Sequence, residues 1–292
     1  MTGTQLSHHP LVAVVGGTGQ QGGATIDALL AAGARVRATV RDASSDRARA
    51  LAGRGVELVP GDLDDPEQLR AAFTGVDRVF AMTTMTGSGG VDGEVRHGRA
   101  LADAAAAASV PHLVYSSVGG AERSTGIPHF ESKRQVEQYI GSLGLPATFL
   151  RPVFFLENLA DGPALEGDEL VVRLPIPDGV PLQMVAVQDI GAAAAAILLD
   201  PTRVPGGSIE IAGDERTGSQ IAAAFGAHSG RAARYEALPL EVLGGDEDMT
   251  AMFAWFAQQP AYEADLAGTT ALVPDVHDLP AWLDLINWHV EV

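Results

Sequence analysis

The stretch Leu11-Val12-Ala13-Val14-Val15-Gly16-Gly17-Thr18-Gly19-Gln20-Gln21-Gly22-Gly23 decides the fold of this chain. An apolar run of strand length, Leu11–Val15, leads into a glycine-rich turn, and a helix-like segment, Ala24–Ala32, follows. The glycines that space the turn are Gly16, Gly19 and Gly22. Glycines let a backbone turn sharply and approach a pyrophosphate closely, while the next helix directs its free N–H groups at that charge. In this strand–turn–helix context the motif predicts dinucleotide binding.

Strand-like and helix-like segments alternate through the first half of the chain. The predicted strands are Leu11–Val15, Arg35–Val40, Val56–Val59, Val76–Met82, Leu113–Ser116 and Thr148–Arg151. The predicted helices are Ala24–Ala32, Asp46–Ala52, Pro66–Phe73, Val91–Ala108 and Phe130–Ser142. We expect Ser44 or Ser45 to cap the second helix, and Asp64 or Asp65 to cap the third. This βαβα rhythm predicts an α/β fold with a Rossmann-type, doubly wound parallel sheet.

The rhythm breaks after Pro152, where prolines punctuate a loop-rich stretch. Beyond it we predict the strands Leu170–Leu174 and Ser208–Ala212 and the helices Asp189–Leu199, Ser219–His228, Met249–Ala257 and Leu279–His289. We therefore expect a Rossmann domain over residues 1–152. A smaller α+β region for substrate or partner binding is expected over residues 153–292, partly interleaved with the first.

Composition excludes several classes of function. The net charge of −18 over 292 residues disfavours nonspecific nucleic-acid binding, because the phosphate backbone would be repelled. The absence of cysteine and the spacing of the histidines predict no metal site. No apolar run reaches the ~18–20 residues that a transmembrane helix needs, so we expect no membrane partner. Residues 1–10 lack a signal-peptide core, and the expected location is the cytoplasm.

The end of the second predicted strand indicates which dinucleotide binds. NAD enzymes place an acidic residue about twenty residues past the glycines, where it holds the ribose 2′-OH. Arg41 stands at that place here, and a guanidinium suits the 2′-phosphate of NADP(H). Asp42 follows on the other side of the strand's alternation. The sequence therefore favours NADP(H), and the alternative is that Arg41 pairs with Asp42 or Asp46 on the surface.

Two further strand ends carry candidate cofactor ligands. Asp62 can accept a hydrogen bond from the adenine amino group while Leu63 packs on the ring, although this segment also suits a helix-capping turn. Thr83 and Thr84 end the fourth strand at the carboxyl edge, where ligands of such sheets lie. Both threonines are equally compatible with an ordinary turn.

Candidate catalytic residues lie in the fifth predicted helix. His129 and Lys133 are four residues apart and share a face of any helix that starts by Phe130. Lys133 can reach a nicotinamide ribose, or it can pair with Glu137 on the surface. His129 is either a proton donor or a solvated residue before the helix. The later segment Phe154–Asn158 fits either a wall of the nicotinamide pocket or core filling.

These pieces together resemble the NmrA-like family, an atypical branch of the short-chain dehydrogenase/reductase superfamily. The resemblance extends over nearly the whole chain. It rests on the segments Gly16–Gly23, Thr39–Asp42, Gly61–Asp65, His129–Lys133, Phe155–Asn158, Met252–Phe256 and Leu279–Leu283. It implies an NADP(H) site formed by Gly16, Gly17, Thr18, Gly19, Gln20, Gln21, Arg41, Asp62, Leu63, Thr83, Thr84, Lys133, Phe155, Leu156, Glu157 and Asn158. Arg96 corresponds to a cofactor-binding lysine of the family and completes the implied site.

One departure concerns the wider superfamily. Ordinary short-chain dehydrogenases use a Tyr-x-x-x-Lys pair, in which the lysine lowers the tyrosine pKa so that it exchanges a proton with substrate. This chain has His129 at the place of that tyrosine, and loss of the tyrosine is usual among NmrA-like proteins. The resemblance implies an NADPH-dependent reductase of a quinone or other activated small acceptor. The alternative is a non-catalytic NADPH/NADP redox sensor that regulates a protein partner, and a homodimer is compatible with either.

Overall fold

The structure is a computed structural model that describes residues 9–87 and 89–290. Its internal contacts divide the chain into two compact units. The first unit contains the residues up to Ser116 together with Val136–Phe149 and Ala194–Gly207. The second unit contains Ser117–Gln135, Leu150–Ala193 and the chain from Ser208 onwards. The expectation about the first ten residues falls mostly outside the described part of the chain.

The secondary structure follows the chain in this order. The strands are β1 (Leu11–Val14), β2 (Arg35–Val40), β3 (Glu57–Pro60), β4 (Arg78–Met82), β5 (Leu113–Ser116), β6 (Ala147–Pro152), β7 (Phe154–Phe155), β8 (Ala164–Glu166), β9 (Glu169–Leu174), β10 (Leu182–Val185), β11 (Ser208–Ile211), β12 (Asp214–Arg216) and β13 (Ala233–Ala237). The α-helices are α1 (Gln20–Ala31), α2 (Asp46–Gly53), α3 (Pro66–Phe73), α4 (Gly90–Ala107), α5 (Pro128–Ser142), α6 (Val187–Leu199), α7 (Gly218–Ser229), α8 (Glu247–Phe256), α9 (Leu266–Leu272) and α10 (Leu279–Leu285). Short 3₁₀ helices cover Ala121–Arg123, Leu156–Leu159, Pro201–Arg203 and Leu240–Leu243.

A seven-stranded sheet has the strand order β11-β6-β5-β4-β1-β2-β3. The pairs β1–β2, β1–β4, β2–β3 and β4–β5 are parallel, and a helix connects each strand to the next from β1 to β6. The order reverses at β1, as in a doubly wound fold. Two three-stranded sheets, β12-β10-β7 and β13-β9-β8, belong to the later part of the chain. The predicted Rossmann-type α/β fold with a smaller α+β part is confirmed.

The core of the first unit explains why its strands are so apolar. All four residues of β1 are buried, as expected of a parallel strand with helices on both faces of its sheet. One core cluster joins residues of β1, β4 and β5 to residues of α3, α4 and α5, including Phe73, Leu101 and Val136. A Cβ at Gly98 would lie 2.3 Å from a methyl of Val136, so only glycine allows α4 and α5 to pack this closely.

Local sequence patterns predicted the boundaries of some helices and strands but not of others. The predictions for β2, α3 and β5 are confirmed to the residue. The predicted start of the first helix is wrong, because α1 begins at Gln20 and includes glycines that appeared to belong to the turn. The last helix ends at Leu285 instead of His289. Its end is fixed by Asn287, which has a positive φ of 48°, and by a bond from the Trp288 N–H to the Leu283 carbonyl.

The predicted helix caps are mostly found. Of the expected residues, Ser45 caps α2 and Asp65 caps α3; Thr217 caps α7 in the same way. Asp64 is not a cap, which corrects one of the expected roles: its Oδ1 instead lies 3.1 Å from His97 Nε2 and 3.4 Å from Arg96 Nε. Within residues 9–87 and 89–290, no helix combines the length and apolarity needed to cross a membrane.

Candidate functional site

The glycine turn packs directly against the start of α1. Gly16 has a φ of +71°, a conformation that favours glycine. The Gly19 N–H donates to the Gly16 carbonyl at 2.9 Å and closes the turn. A Cβ at Gly22 would lie 2.2 Å from the Gly16 oxygen, so the first turn of α1 needs glycine there. The motif therefore forms a tight backbone surface with little side-chain cover.

The start of α1 has neither a side-chain cap nor an acidic residue in its first turn, whereas α4, which also begins at an uncapped glycine, has Asp92 in its first turn. Side chains cap α2, α3, α7, α8, α9 and α10 through Ser45, Asp65, Thr217, Asp246, Asp265 and Asp278. At α1 the cap position is Gly19, no described side chain accepts a bond from the cap turn, and the first turn has no acidic residue. The first N–H groups of a helix need an acceptor and carry positive dipole charge. The start of α1 therefore fits a phosphate group.

The parallel strands of the first unit bring the predicted cofactor residues to one edge. Because β1 to β5 run in the same direction, Gly16, Arg41, Asp62 and Thr83 all follow strand ends at the carboxyl edge. Ser116, at the end of β5, donates from Oγ to Gln21 Oε1 at 2.6 Å. This bond ties the first turn of α1 to the sheet edge. No pattern in the sequence indicated this role of Ser116.

Arg41 is one of the exposed cations near this edge of the sheet. It follows β2 directly, is exposed, and makes no hydrogen bond or ion pair among residues 9–87 and 89–290. Asp42 is occupied by Ser44, whose backbone N–H and Oγ donate to Oδ1 at 2.8 and 2.6 Å. These bonds lower the pKa of the Asp42 carboxyl, the Oγ bond contributing most. The alternative in which Arg41 pairs with Asp42 is therefore not found.

A second arginine approaches the glycine turn, and the sequence did not single it out as a ligand. Arg47 Nη1 lies 3.4 Å from the Thr18 carbonyl oxygen, across 29 residues of chain. Asp46, the other acidic residue considered for Arg41, forms an ion pair with Arg49. Arg49 is therefore paired within α2, whereas Arg47 reaches the glycine turn.

The remaining strand ends have mixed environments. Asp62 is exposed, and its Oδ1 accepts a bond from the Asp64 N–H at 3.0 Å. Leu63 is half-buried against the core cluster of the first unit. Arg96 is exposed and holds Asp64 in a surface ion pair at 3.4 Å. Asp62 and Arg96 can each turn toward a ligand without losing a buried contact.

The two threonines after β4 have opposite environments. Thr83 is 2% exposed, and its hydroxyl donates to Glu94 Oε1 at 3.2 Å and lies 2.8 Å from the Tyr115 hydroxyl. Burial raises the pKa of Tyr115 well above its usual value, so this phenol stays protonated and can donate to Thr83. Thr84 is exposed and its Oγ1 lies 2.9 Å from Thr86 Oγ1. The Thr83 hydroxyl is therefore engaged in the interior, whereas Thr84 faces solvent.

His129 lies inside the first turn of α5, because the helix begins at Pro128. Its backbone N–H donates to Asp248 Oδ1 at 2.9 Å, and its Nδ1 lies 2.6 Å from Asp248 Oδ2. The two side chains are 20% and 14% exposed, so His129 is not a solvated residue before the helix. Lys133 follows one turn later and is half-buried. Asp248 comes from α8, 119 residues away, which is why the sequence did not reveal it.

The segment Phe155–Asn158 contains both accessible and structural residues. Phe155 pairs with β10 and is half-buried, and Asn158 is exposed. Leu156 is fully buried. The Glu157 carboxylate accepts bonds from the Val187 N–H at 3.0 Å and from Trp282 Nε1 at 3.1 Å. Burial raises the pKa of Glu157 above its usual value.

Aromatic side chains of α8 pack within the second unit. Phe253 and Phe256 are buried, and the Phe256 ring meets Phe154 edge to face at 6.0 Å. Trp255 is only half-buried and meets Phe130 at 5.5 Å. Phe253 and Phe256 therefore form part of the core of the second unit.

Comparisons with known proteins place this geometry in a family. The model of the NmrA-like family matches residues 8–284. The NAD(P)H azoreductase of Xenophilus azovorans is 32% identical over 280 residues, covering 93% of this chain and 94% of the azoreductase.

Solved structures share the fold. NmrA, a negative transcriptional regulator crystallised with NAD, has a TM-score of 0.81 at 24% identity, covering 94% of each chain. The NADPH-dependent quinone oxidoreductase QOR2 of Escherichia coli, crystallised with NADPH, has a TM-score of 0.77 at 23% identity, covering 94% of this chain and 99% of QOR2. At these identities the structures show the fold alone. With the glycine turn, the strand ends and the match over residues 8–284, the chain belongs to the NmrA-like family.

Proposed function

We propose that this protein is an NADPH-dependent reductase of a quinone or another activated small acceptor. The observation that carries the proposal is the open start of α1, where a glycine turn without a side-chain cap stands at the same sheet edge as Arg41. The azoreductase and quinone oxidoreductase relatives are named for the reduction of electron-poor acceptors by a nicotinamide cofactor.

The cofactor proposal assigns a task to each group at the sheet edge. Backbone N–H groups of the glycine turn and α1 would bind the pyrophosphate. The Arg41 guanidinium would bind the 2′-phosphate, with Arg47 as a second cation close to the turn. Asp62 and Leu63 would hold the adenine, while Thr84 and Arg96 would contribute polar contacts. When bound, the reduced nicotinamide supplies a hydride.

Residues of the second unit are proposed to act on the nicotinamide end and the acceptor. Lys133 would hold the nicotinamide ribose, and the half-buried Phe155 would stack on a planar acceptor. The absence of a tyrosine four residues before Lys133 favours acceptors with high electron demand, which need less acid assistance than a simple ketone. The proposed partner is therefore a small molecule, in a cytoplasmic setting.

The test is a survey of acceptors. NADPH consumption is followed by absorbance with quinones, azo dyes, enones and aldehydes, in wild type and in the Lys133→Ala and Phe155→Ala variants. We expect turnover with quinones and azo dyes, and lower turnover in both variants. Background rates with every acceptor would overturn the reductase proposal. A redox sensor would then need to differ between its apo and NADPH-bound forms in protease sensitivity or oligomeric state.

A further inference from the structure

We infer that Asp248 is a positioning residue that makes His129 the proton donor of this reductase. The inference rests on the proposed function and deepens it, because it assigns the proton that accompanies the hydride. It also explains how the chain acts without the tyrosine of ordinary short-chain dehydrogenases.

The geometry holds the histidine ring at two points. Asp248 Oδ1 accepts the His129 backbone N–H at 2.9 Å, and Oδ2 lies 2.6 Å from Nδ1 of the same residue. Asp248 is free for this task because Asp246 caps α8, accepting the Met249 N–H at 3.0 Å. The imidazole also meets the Phe130 ring edge to face at 4.7 Å. The ring is therefore fixed by groups in the first turns of α5 and α8.

The carboxylate determines which nitrogen carries the transferable proton. An ionised carboxylate only accepts hydrogen bonds, so it requires a hydrogen on His129 Nδ1. The other nitrogen, Nε2, is left to exchange a proton, as in sites where a carboxylate orients a histidine. The 20% exposure of the His129 side chain lets solvent return the proton after each turnover.

The proposed step balances in atoms and charge. A quinone or azo group takes two electrons and one hydrogen as the hydride, and one proton from His129 Nε2 forms the new O–H or N–H bond. His129 is left neutral with its hydrogen on Nδ1, and water reprotonates it. A cationic triarylmethane dye differs, because hydride addition at its central carbon gives the neutral product without a proton. The His129–Asp248 pair should therefore matter for the first acceptor class and not for the second.

A second histidine–aspartate pair in the same unit supplies a matched control. His277 donates its backbone N–H to Asp189 at 2.9 Å, and its Nδ1 lies 2.8 Å from the same carboxylate. His277 lies outside any helix, before α10, and has no lysine four residues later. The contacts within the two pairs are alike, so His277→Asn measures what losing such a contact does to the fold alone.

The first experiment compares acceptor classes in His129→Asn, Asp248→Asn and His277→Asn at saturating NADPH. In Asp248→Asn the amide oxygen can still accept the His129 backbone N–H, while the NH₂ group faces Nδ1 and favours the wrong tautomer. We expect about 100-fold lower kcat with quinones for the first two variants, the low end of the effect of general acid catalysis, and unchanged kcat with the dye. His277→Asn should change neither rate.

The second experiment needs no cofactor or turnover. In nitrogen NMR spectra the His129 imidazole is assigned from the signal that is missing in His129→Asn. In wild type this ring should carry hydrogen on Nδ1. In Asp248→Asn it should carry hydrogen on Nε2. A wild-type His129 ring with hydrogen on Nε2 and none on Nδ1, or equal losses with both acceptor classes, would overturn the inference. Absence of any reductase activity in wild type would instead overturn the proposed function, while the NMR result still reports on the pair.

Discussion

The starts of α1 and α6 solve the same physical problem in different ways. Both helices present N–H groups that need an acceptor. At α6 the Glu157 carboxylate reaches the Val187 N–H, with its two oxygens at 3.0 and 3.1 Å. At α1 the cap is Gly19, and no described side chain supplies an acceptor there. A helix start satisfied by its own chain belongs to the fold, whereas one left open is available to a ligand. The family resemblance assigned both Gly19 and Glu157 to one cofactor site. By this comparison Gly19 belongs to an open helix start, whereas Glu157 satisfies a helix start of the fold.

The largest effect on cofactor binding is expected from filling the open start. Gly22→Ala would place a methyl 2.2 Å from the Gly16 oxygen, so the turn and α1 must move apart. Overpacking of this kind costs about 1–3 kcal/mol, and we expect NADPH affinity to fall by up to about a hundredfold. Fluorescence titration with NADPH measures the loss. The control is Gly23→Ala, whose Cβ would meet its nearest neighbour at 3.7 Å. Equal affinities of the two variants would contradict a close-fitting turn.

Removing the acceptor at the start of α6 should lower the free energy of unfolding. Glu157→Ala removes the acceptor of the Val187 N–H and of Trp282 Nε1, and two unsatisfied donors should cost about 2–4 kcal/mol of unfolding free energy. Glu157→Gln keeps an acceptor oxygen and should cost less. Urea unfolding measures both. If Glu157→Ala unfolds like wild type and instead weakens NADPH binding, Glu157 is a cofactor residue and the comparison fails.

The pH dependence of the unfolding free energy gives a second test of the role of Glu157 at the start of α6. Burial raises the pKa of Glu157, so the folded state holds this proton more tightly than the unfolded chain. The contribution is present at pH values below the unfolded pKa, and it is lost as pH rises through the higher folded pKa. Replacement by glutamine should remove this decrease. Urea midpoints across the weakly acidic range would show it as a flatter profile for Glu157→Gln, and identical profiles would exclude this contribution.

A second loss of cofactor affinity is expected at the edge beside α1. Arg41→Ala should weaken NADPH binding by about 1.5–3 kcal/mol, or roughly ten- to a hundredfold, through loss of a charge-assisted contact. NADH binding should change little. The control is Arg49→Ala, because Arg49 is held in an ion pair with Asp46. Equal losses for the two cofactors would show that Arg41 does not read the 2′-phosphate.

The smallest effect should come from an ordinary cap. Thr217 accepts the Gln220 N–H and Gln220 reaches back to the Thr217 N–H, so that α7 begins with a capping box. Thr217→Ala should cost about 1 kcal/mol of unfolding free energy. NADPH affinity, measured in parallel, should be unchanged. A change in affinity would mean that closed helix starts also affect the cofactor.

Sequence patterns predicted the structural features that depend on residues close together in the chain. The apolar runs located β1 to β6, and the cap residues Ser45 and Asp65 marked two helix starts. Very short strands such as β7 gave no pattern, since two residues cannot show an alternation. Arg41 was singled out by its distance from the glycines; it is exposed directly after β2, and its contact with the 2′-phosphate stays a prediction.

Contacts between distant residues could not be predicted in this way. The bond between Asp248 and His129 joins residues 119 positions apart, and Glu157 reaches Val187 across 30 positions. Thr83 looked like a turn or ligand residue, but its hydroxyl is turned inward to Tyr115. Each of these depends on which surfaces pack together, which periodicity does not specify.

The uncapped start of α1 also has a consequence for the lifetime of the protein. A ligand that binds only the native state adds RT ln(1 + [L]/Kd) to its stability, about 2.7 kcal/mol at a hundredfold excess over Kd. With no described side chain completing that helix start, amide exchange in the first turn of α1 should slow as NADPH is added. The concentration of NADPH would then determine how often the native chain opens and becomes accessible to proteases. This effect would not depend on any acceptor that the protein reduces.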